Sequence, residues 1–106
     1  MKEIKAIVRP NKLPALRDAL REIKGFPGMT VSKAEGCSAP ARHTPQSFKE
    51  DLTDYSPKVR IEIVVPDDVA DAIFDAIARF AQTGHVGDGL VWMTTVERAS
   101  FIHKPD

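Results

Sequence analysis

The chain holds one cysteine, one tryptophan and one tyrosine in 106 residues, and its charge has no dominant sign, with 15 basic residues against 15 acidic. Each scarcity excludes something. A lone Cys37 rules out an intramolecular disulfide framework. A formal charge of zero supplies no global field for nucleic acid or an anionic membrane, so an anion site must be local. The cations are scattered rather than arranged as a stripe, and no nucleic-acid partner is expected. No apolar run has the length of a transmembrane helix or the look of a signal peptide. The expectation is therefore no direct membrane insertion and, by default, a cytoplasmic location. The length suits a single domain over 1–106 with a modest core.

Residues 2–9 alternate, with Ile4, Ala6 and Val8 on one side and Lys5, Ile7 and Arg9 on the other, which predicts a strand stopped by Pro10. Leu13, Leu16, Leu20 and Ile23 recur at helical spacing, with Asn11 as cap, Pro14 tolerated in the first turn, and Gly25-Phe26-Pro27-Gly28 ending the helix. Met29–Glu35 reads as a second strand with Thr30, Val31 and Ala34 as core contributors. Residues 37–56 then lose all periodicity, with Pro40 and Pro45 inside and Pro57 at the border. So long a connector in a small domain points to a functional loop. Lys58–Val65 is a third strand, and Val69–Ala81 a helix with Asp67 as its candidate N-cap. Leu90–Val96 is a fourth strand before a short tail.

The order β-α-β-β-α-β predicts an α+β, ferredoxin-like domain: an antiparallel four-stranded sheet with two helices on one face. The other face is open. Ile7, Val31, Ile61, Ile63 and Val91 cannot all point at the helices on this reading, so apolar area on the open face needs a partner, and self-association into a closed ring of three would cover it.

Two segments carry the chemistry. Pro57-Lys58-Val59-Arg60-Ile61-Glu62-Ile63-Val64-Val65-Pro66-Asp67-Asp68 alternates β-branched residues with charge, and Thr83-Gly84-His85-Val86-Gly87-Asp88-Gly89 packs three glycines ahead of a strand. Gly87-Asp88-Gly89 reads either as a cradle whose backbone N–H groups approach an anion or as a tight turn into the strand. Lys58 and Arg60 on one strand face read either as ligand cations or as solvated charge. Trp92 reads as core or interface. Cys37, His43, His85 and His103 are the soft or borderline metal ligands, without CxxC or HxxxH spacing. No nucleophile–base set or paired-carboxylate arrangement is present, and the protein is not expected to be an enzyme.

Those two segments, with Val8-Arg9-Pro10, Lys12-Leu13, Gly28-Met29-Thr30-Val31 and Gly36, resemble the PII signalling proteins, trimeric regulators of nitrogen metabolism. The resemblance spans almost the whole chain. It implies a homotrimer with ATP or ADP in clefts between subunits. Thr30, Glu62 and Val64 would meet the base and ribose, Gly87-Asp88-Gly89 the phosphates, and Lys58 a phosphate or 2-oxoglutarate, with Gly36 in the same effector site. Residues 37–56 would form the loop that docks onto a transporter, enzyme or regulator, with His43, Phe48 and Asp51 as partner surface.

The departures are specific. Where the PII pattern continues with glycine, a phosphate-touching arginine and a magnesium-site glutamine, this chain has Cys37-Ser38-Ala39-Pro40. Leu90 replaces the lysine after Gly-Asp-Gly, and Phe101 and His103 replace two C-terminal arginines. A charge-assisted contact to phosphate contributes roughly 1.5–3 kcal/mol, so losing about three lowers nucleotide affinity by several orders of magnitude. Adenine nucleotide remains the candidate cofactor, 2-oxoglutarate is not expected, and Arg9 or His85 stands where it can replace a lost contact. Tyr55 lies too near the loop exit for uridylylation. The chain thus resembles the PII-like subgroup that keeps the scaffold and changes the loop, often encoded beside transporters that include heavy-metal efflux systems. The alternative is a metal-binding trimer linked to heavy-metal tolerance or efflux.

Overall fold

The structure is a computed structural model, and it describes residues 1–37 and 55–103. Strand β1 (Lys2–Val8) runs into a single 3-10 turn, Pro10–Lys12, and helix α1 (Leu13–Arg21). Then come β2 (Thr30–Gly36), β3 (Ser56–Val65), helix α2 (Asp67–Ala81) and β4 (Gly89–Thr95). The four strands form one sheet in the order β2-β3-β1-β4, with every neighbouring pair antiparallel. This is the expected βαββαβ arrangement. Both helices lie on one face, where Leu16, Leu20, Ile73 and Ile77 close over Ile4, Ala6, Val8, Ile61, Ile63 and Val65.

The register decides which side chains share a face, because residues directly opposite in an antiparallel pair point the same way. Val31 opposes Ile61, Ile61 opposes Ala6, and Ala6 opposes Val91. Ile63 is two residues from Ile61 and is buried with it. Four of the five residues expected to be divided between the faces therefore all face the helices, and only Ile7 does not. The apolar part of the open face is instead Ile7, Val64, Leu90 and Trp92.

Three further expectations change. Thr30 is exposed and pairs with Glu62 on the open face, and Val31 is 39% exposed because β2 is an edge strand. Asn11 does not cap α1: the 3-10 turn leads straight into the helix, and Lys12 occupies the cap position without a side-chain bond. Asp67 is the first residue of α2 rather than its cap, which is Pro66. Its carboxylate meets the amino terminus at 2.9 Å, and that ammonium holds Asp67 below the usual carboxylate range. Pro14 does lie in the first turn of α1.

Ile73 on α2 is fully buried against the sheet. Ile73→Ala is expected to lower unfolding free energy by roughly 2–5 kcal/mol, read from the urea midpoint at constant slope.

Candidate functional site

At one end of the open face the register continues past the last paired residues. Val8 opposes both Val59 and Gly89, so the next row outward holds Lys58, Arg9 and Asp88, side by side on β3, β1 and the turn before β4. These three side chains hold the turn Thr83–Gly89. One Asp88 carboxylate oxygen accepts from the backbone N–H groups of Thr83 at 2.6 Å and Gly84 at 3.0 Å. The other accepts from Arg9 Nε at 3.0 Å and from the Thr83 hydroxyl. Arg9 also donates through Nη2 to the Val86 carbonyl at 3.0 Å, and Lys58 Nζ donates to the Gly87 carbonyl. The hydroxyl and backbone of Thr83, then Arg9 and Gly84, hold the Asp88 carboxyl well below the usual carboxylate range. Each of these bonds favours its charged form.

Backbone freedom is required at Gly89, where φ is +104° and an added Cβ would lie 1.7 Å from the Ile7 carbonyl oxygen. No side chain fits there without moving β1.

The expected effector residues divide between two clefts. Gly36, Lys58, Gly87 and Gly89 line the first, of about 400 Å³, with Ile7, Cys37, Val86 and Leu90. Thr30, Glu62 and Val64 line the second, of about 530 Å³, with Glu3, Met29 and Phe101 among their neighbours. Lys58 and Glu62 are four residues apart on β3, a span of roughly 13 Å. Asp88 lines neither cleft. It stands behind the turn on a smaller apolar recess of about 210 Å³ beside Ile77, Ala81 and Val91, as an organiser of the turn.

Lys58 is 6% exposed, which sets it apart from an ordinary solvated strand cation. Arg60 is exposed and pairs with Glu62 at 3.3 Å. Cys37 and His85 are exposed, as is His103 in the tail. Among the described residues no three His, Cys, Asp or Glu side chains converge as a metal cluster would require. His43, Phe48 and Asp51 lie outside the described residues.

The structure adds Thr83 to the turn, and Glu3 and Phe101 to the second cleft, beyond the expected site residues. For Thr83 the signal was present in sequence, a hydroxyl residue five positions before an aspartate in a glycine-rich turn, a pattern suited to local side-chain-to-backbone bonding. Glu3 carried none; Phe101 stands where the PII pattern has an arginine, but only the fold brings its ring beside Glu3, Thr30 and Glu62.

Gly89→Ala should cost roughly 2–4 kcal/mol of stability, measured by urea unfolding. For Asp88 the expected signature is in pH. Its folded-state pKa is depressed, so its bonds contribute stability above the unfolded carboxyl's pKa of about 3.9, and that contribution is lost as pH falls below it. Asp88→Asn should be less stable than the unaltered protein at neutral pH, with the gap in urea midpoint narrowing as the solution is taken below about pH 4. A gap that does not change with pH would refute this role.

The chain matches the family described as Nitrogen regulatory protein P-II over residues 1–105. It is 46% identical over 100 residues to nitrogen regulatory protein P-II 1 of Escherichia coli (strain K12), an alignment covering 92% of this chain and 88% of that one. A nitrogen regulatory protein P-II of Klebsiella oxytoca is likewise 46% identical over 100 residues, with the same shares. One from Bradyrhizobium diazoefficiens is 42% identical over 101 residues, 93% of this chain and 88% of its own. Near-complete coverage at this identity, on a βαββαβ sheet, makes this chain a member of the nitrogen regulatory protein P-II family of signal-transduction regulators.

Proposed function

We propose that this protein is a non-enzymatic homotrimeric regulator that binds an adenine nucleotide between neighbouring subunits and signals occupancy to a partner protein, a transporter or another regulator, through residues 37–56. One observation carries the reading. The two clefts lie at different ends of the same open sheet face, one holding a buried lysine and a glycine turn, the other two carboxylates and a threonine. A head-to-tail contact between copies, repeated until a ring closes, sets the cation cleft of one subunit against the acidic cleft of the next. The open face also carries the apolar group Ile7, Val64, Leu90 and Trp92, with Leu90 59% exposed in a single chain. Burial of that group favours self-association.

In this reading the nucleotide acts by population shift. It favours one arrangement of the 37–56 segment only through contacts that the other arrangement lacks. Gly36 and Cys37 join the first cleft directly to that segment, which gives occupancy a short path to the partner surface.

Light scattering on the purified protein should give three times the chain mass, and calorimetry should give one adenine nucleotide per subunit. Deleting residues 40–52 should leave the trimer intact, and loss of the oligomer would count against this division of labour. Trp92, the sole tryptophan, lies on the open face opposite Lys5, so its emission should shift to the red when dilution separates the subunits. A monomer at all concentrations would overturn the proposal.

A further inference from the structure

The open face of the sheet carries four cations among the described residues: Lys5, Arg9, Lys58 and Arg60. Three are already matched to carboxylates. Lys5 lies 3.6 Å from Glu3, Arg60 lies 3.3 Å from Glu62, and Arg9 is bonded to Asp88 at 3.0 Å. Lys58 differs. It is the most buried of the four, and the partner recorded for its ammonium is the Gly87 carbonyl, which takes a hydrogen bond but cancels no charge. A buried cation opposite a neutral acceptor stabilises any anion that enters its cleft, because the desolvation cost has already been met in folding. Lys58 is also the only cation among the described residues lining that cleft, and its other described walls are backbone and apolar side chains.

The second cleft has the opposite character. Glu3 and Glu62 give it acceptor oxygens, Thr30 a hydroxyl, and Phe101, 48% exposed, an aromatic wall. Among the described residues no lysine or arginine lines it. Carboxylates beside an aromatic ring suit a planar heterocycle bearing N–H donors, and they repel phosphate.

We propose that the composite site is selective for a nucleoside monophosphate, with one phosphate on Lys58 and the base against Phe101, and that it discriminates against the triphosphate. This rests on the nucleotide reading above. The first phosphate meets Lys58, the only cation among the described residues that line the first cleft. Each further phosphate adds negative charge that no other described cation of the cleft receives. The preference is thus set by charge inventory rather than by cleft size, since either cleft is large enough for the longer chain.

The test is calorimetric titration of the intact protein with AMP, ADP and ATP, without magnesium and then with it. The expected result is AMP at least about tenfold tighter than ATP, a difference of about 1.4 kcal/mol, with ADP between them. Leu90→Lys adds a second cation to the first cleft and should narrow or reverse that ratio in a protein that still has the trimer mass. Phe101→Ala should weaken all three nucleotides by a similar factor. ATP binding as tightly as AMP to the unaltered protein would overturn the proposal while leaving the nucleotide reading intact. AMP affinity untouched by Phe101→Ala would remove the base from that wall and overturn it as well. If none of the three binds, the nucleotide reading itself fails and this inference falls with it.

Discussion

The parity of β1 governs the rest of the molecule. It is a central strand, paired on both sides, and Ile4, Ala6 and Val8 are sealed beneath the helices. Burying a large aliphatic side chain contributes roughly 1.5–3 kcal/mol, whereas an exposed ion pair contributes about 0–1 kcal/mol. The core therefore decides the register, and the charges must accept the positions it leaves them. A slip of one residue would move every side chain of the strand to the other face. With the register set, Lys5, Ile7 and Arg9 must face away from the helices, and each must meet whatever β3 and β4 place opposite.

That consequence builds the site. The row through Val59, Val8 and Gly89 is the last full row of the sheet, and just beyond it stand Lys58, Arg9 and Asp88. Asp88 is turned back into the loop, where Thr83, Gly84 and Arg9 share its two oxygens. A loop held by backbone and side-chain bonds to one carboxylate is fixed in shape by the protein itself. Arg9 is consumed in holding the loop, which leaves Lys58 to set the sign of the cleft. The membership in the P-II family and the glycine turn are thus joined by a physical route, from core parity to a row of charges to a shaped loop.

Much of the fold was legible because the elements advertise themselves with different periods. Alternation in residues 2–9 and 58–65, and three-to-four spacing in 13–23 and 69–81, are local patterns, and each produced an element within a few residues of the expected bounds. The sorting of faces was less legible. Val31, Ile61, Ile63 and Val91 looked too numerous for one side, yet strand pairing puts all four on the helix-side face, Val31 exposed there on the edge strand, and leaves Ile7, Val64, Leu90 and Trp92 on the other. Helix starts failed for a related reason. Asn11 and Asp67 have capping chemistry, but a preceding 3-10 turn and the neighbouring amino terminus had prior claim on their surroundings.

By itself the sequence determined the order of elements, the two-helix, four-strand composition, the glycine turn and the P-II family, because all of these reside in runs of neighbouring residues. Tertiary structure alone decided which strands pair and which residues lie across from one another. From those pairings follow the burial of Lys58, the matching of Arg9 to Asp88, and the placement of Phe101 beside Glu62. The reason is that charge neutralisation and cleft shape depend on distances between residues up to 79 positions apart, as with Arg9 and Asp88. No local pattern encodes such a distance until the core has chosen a register.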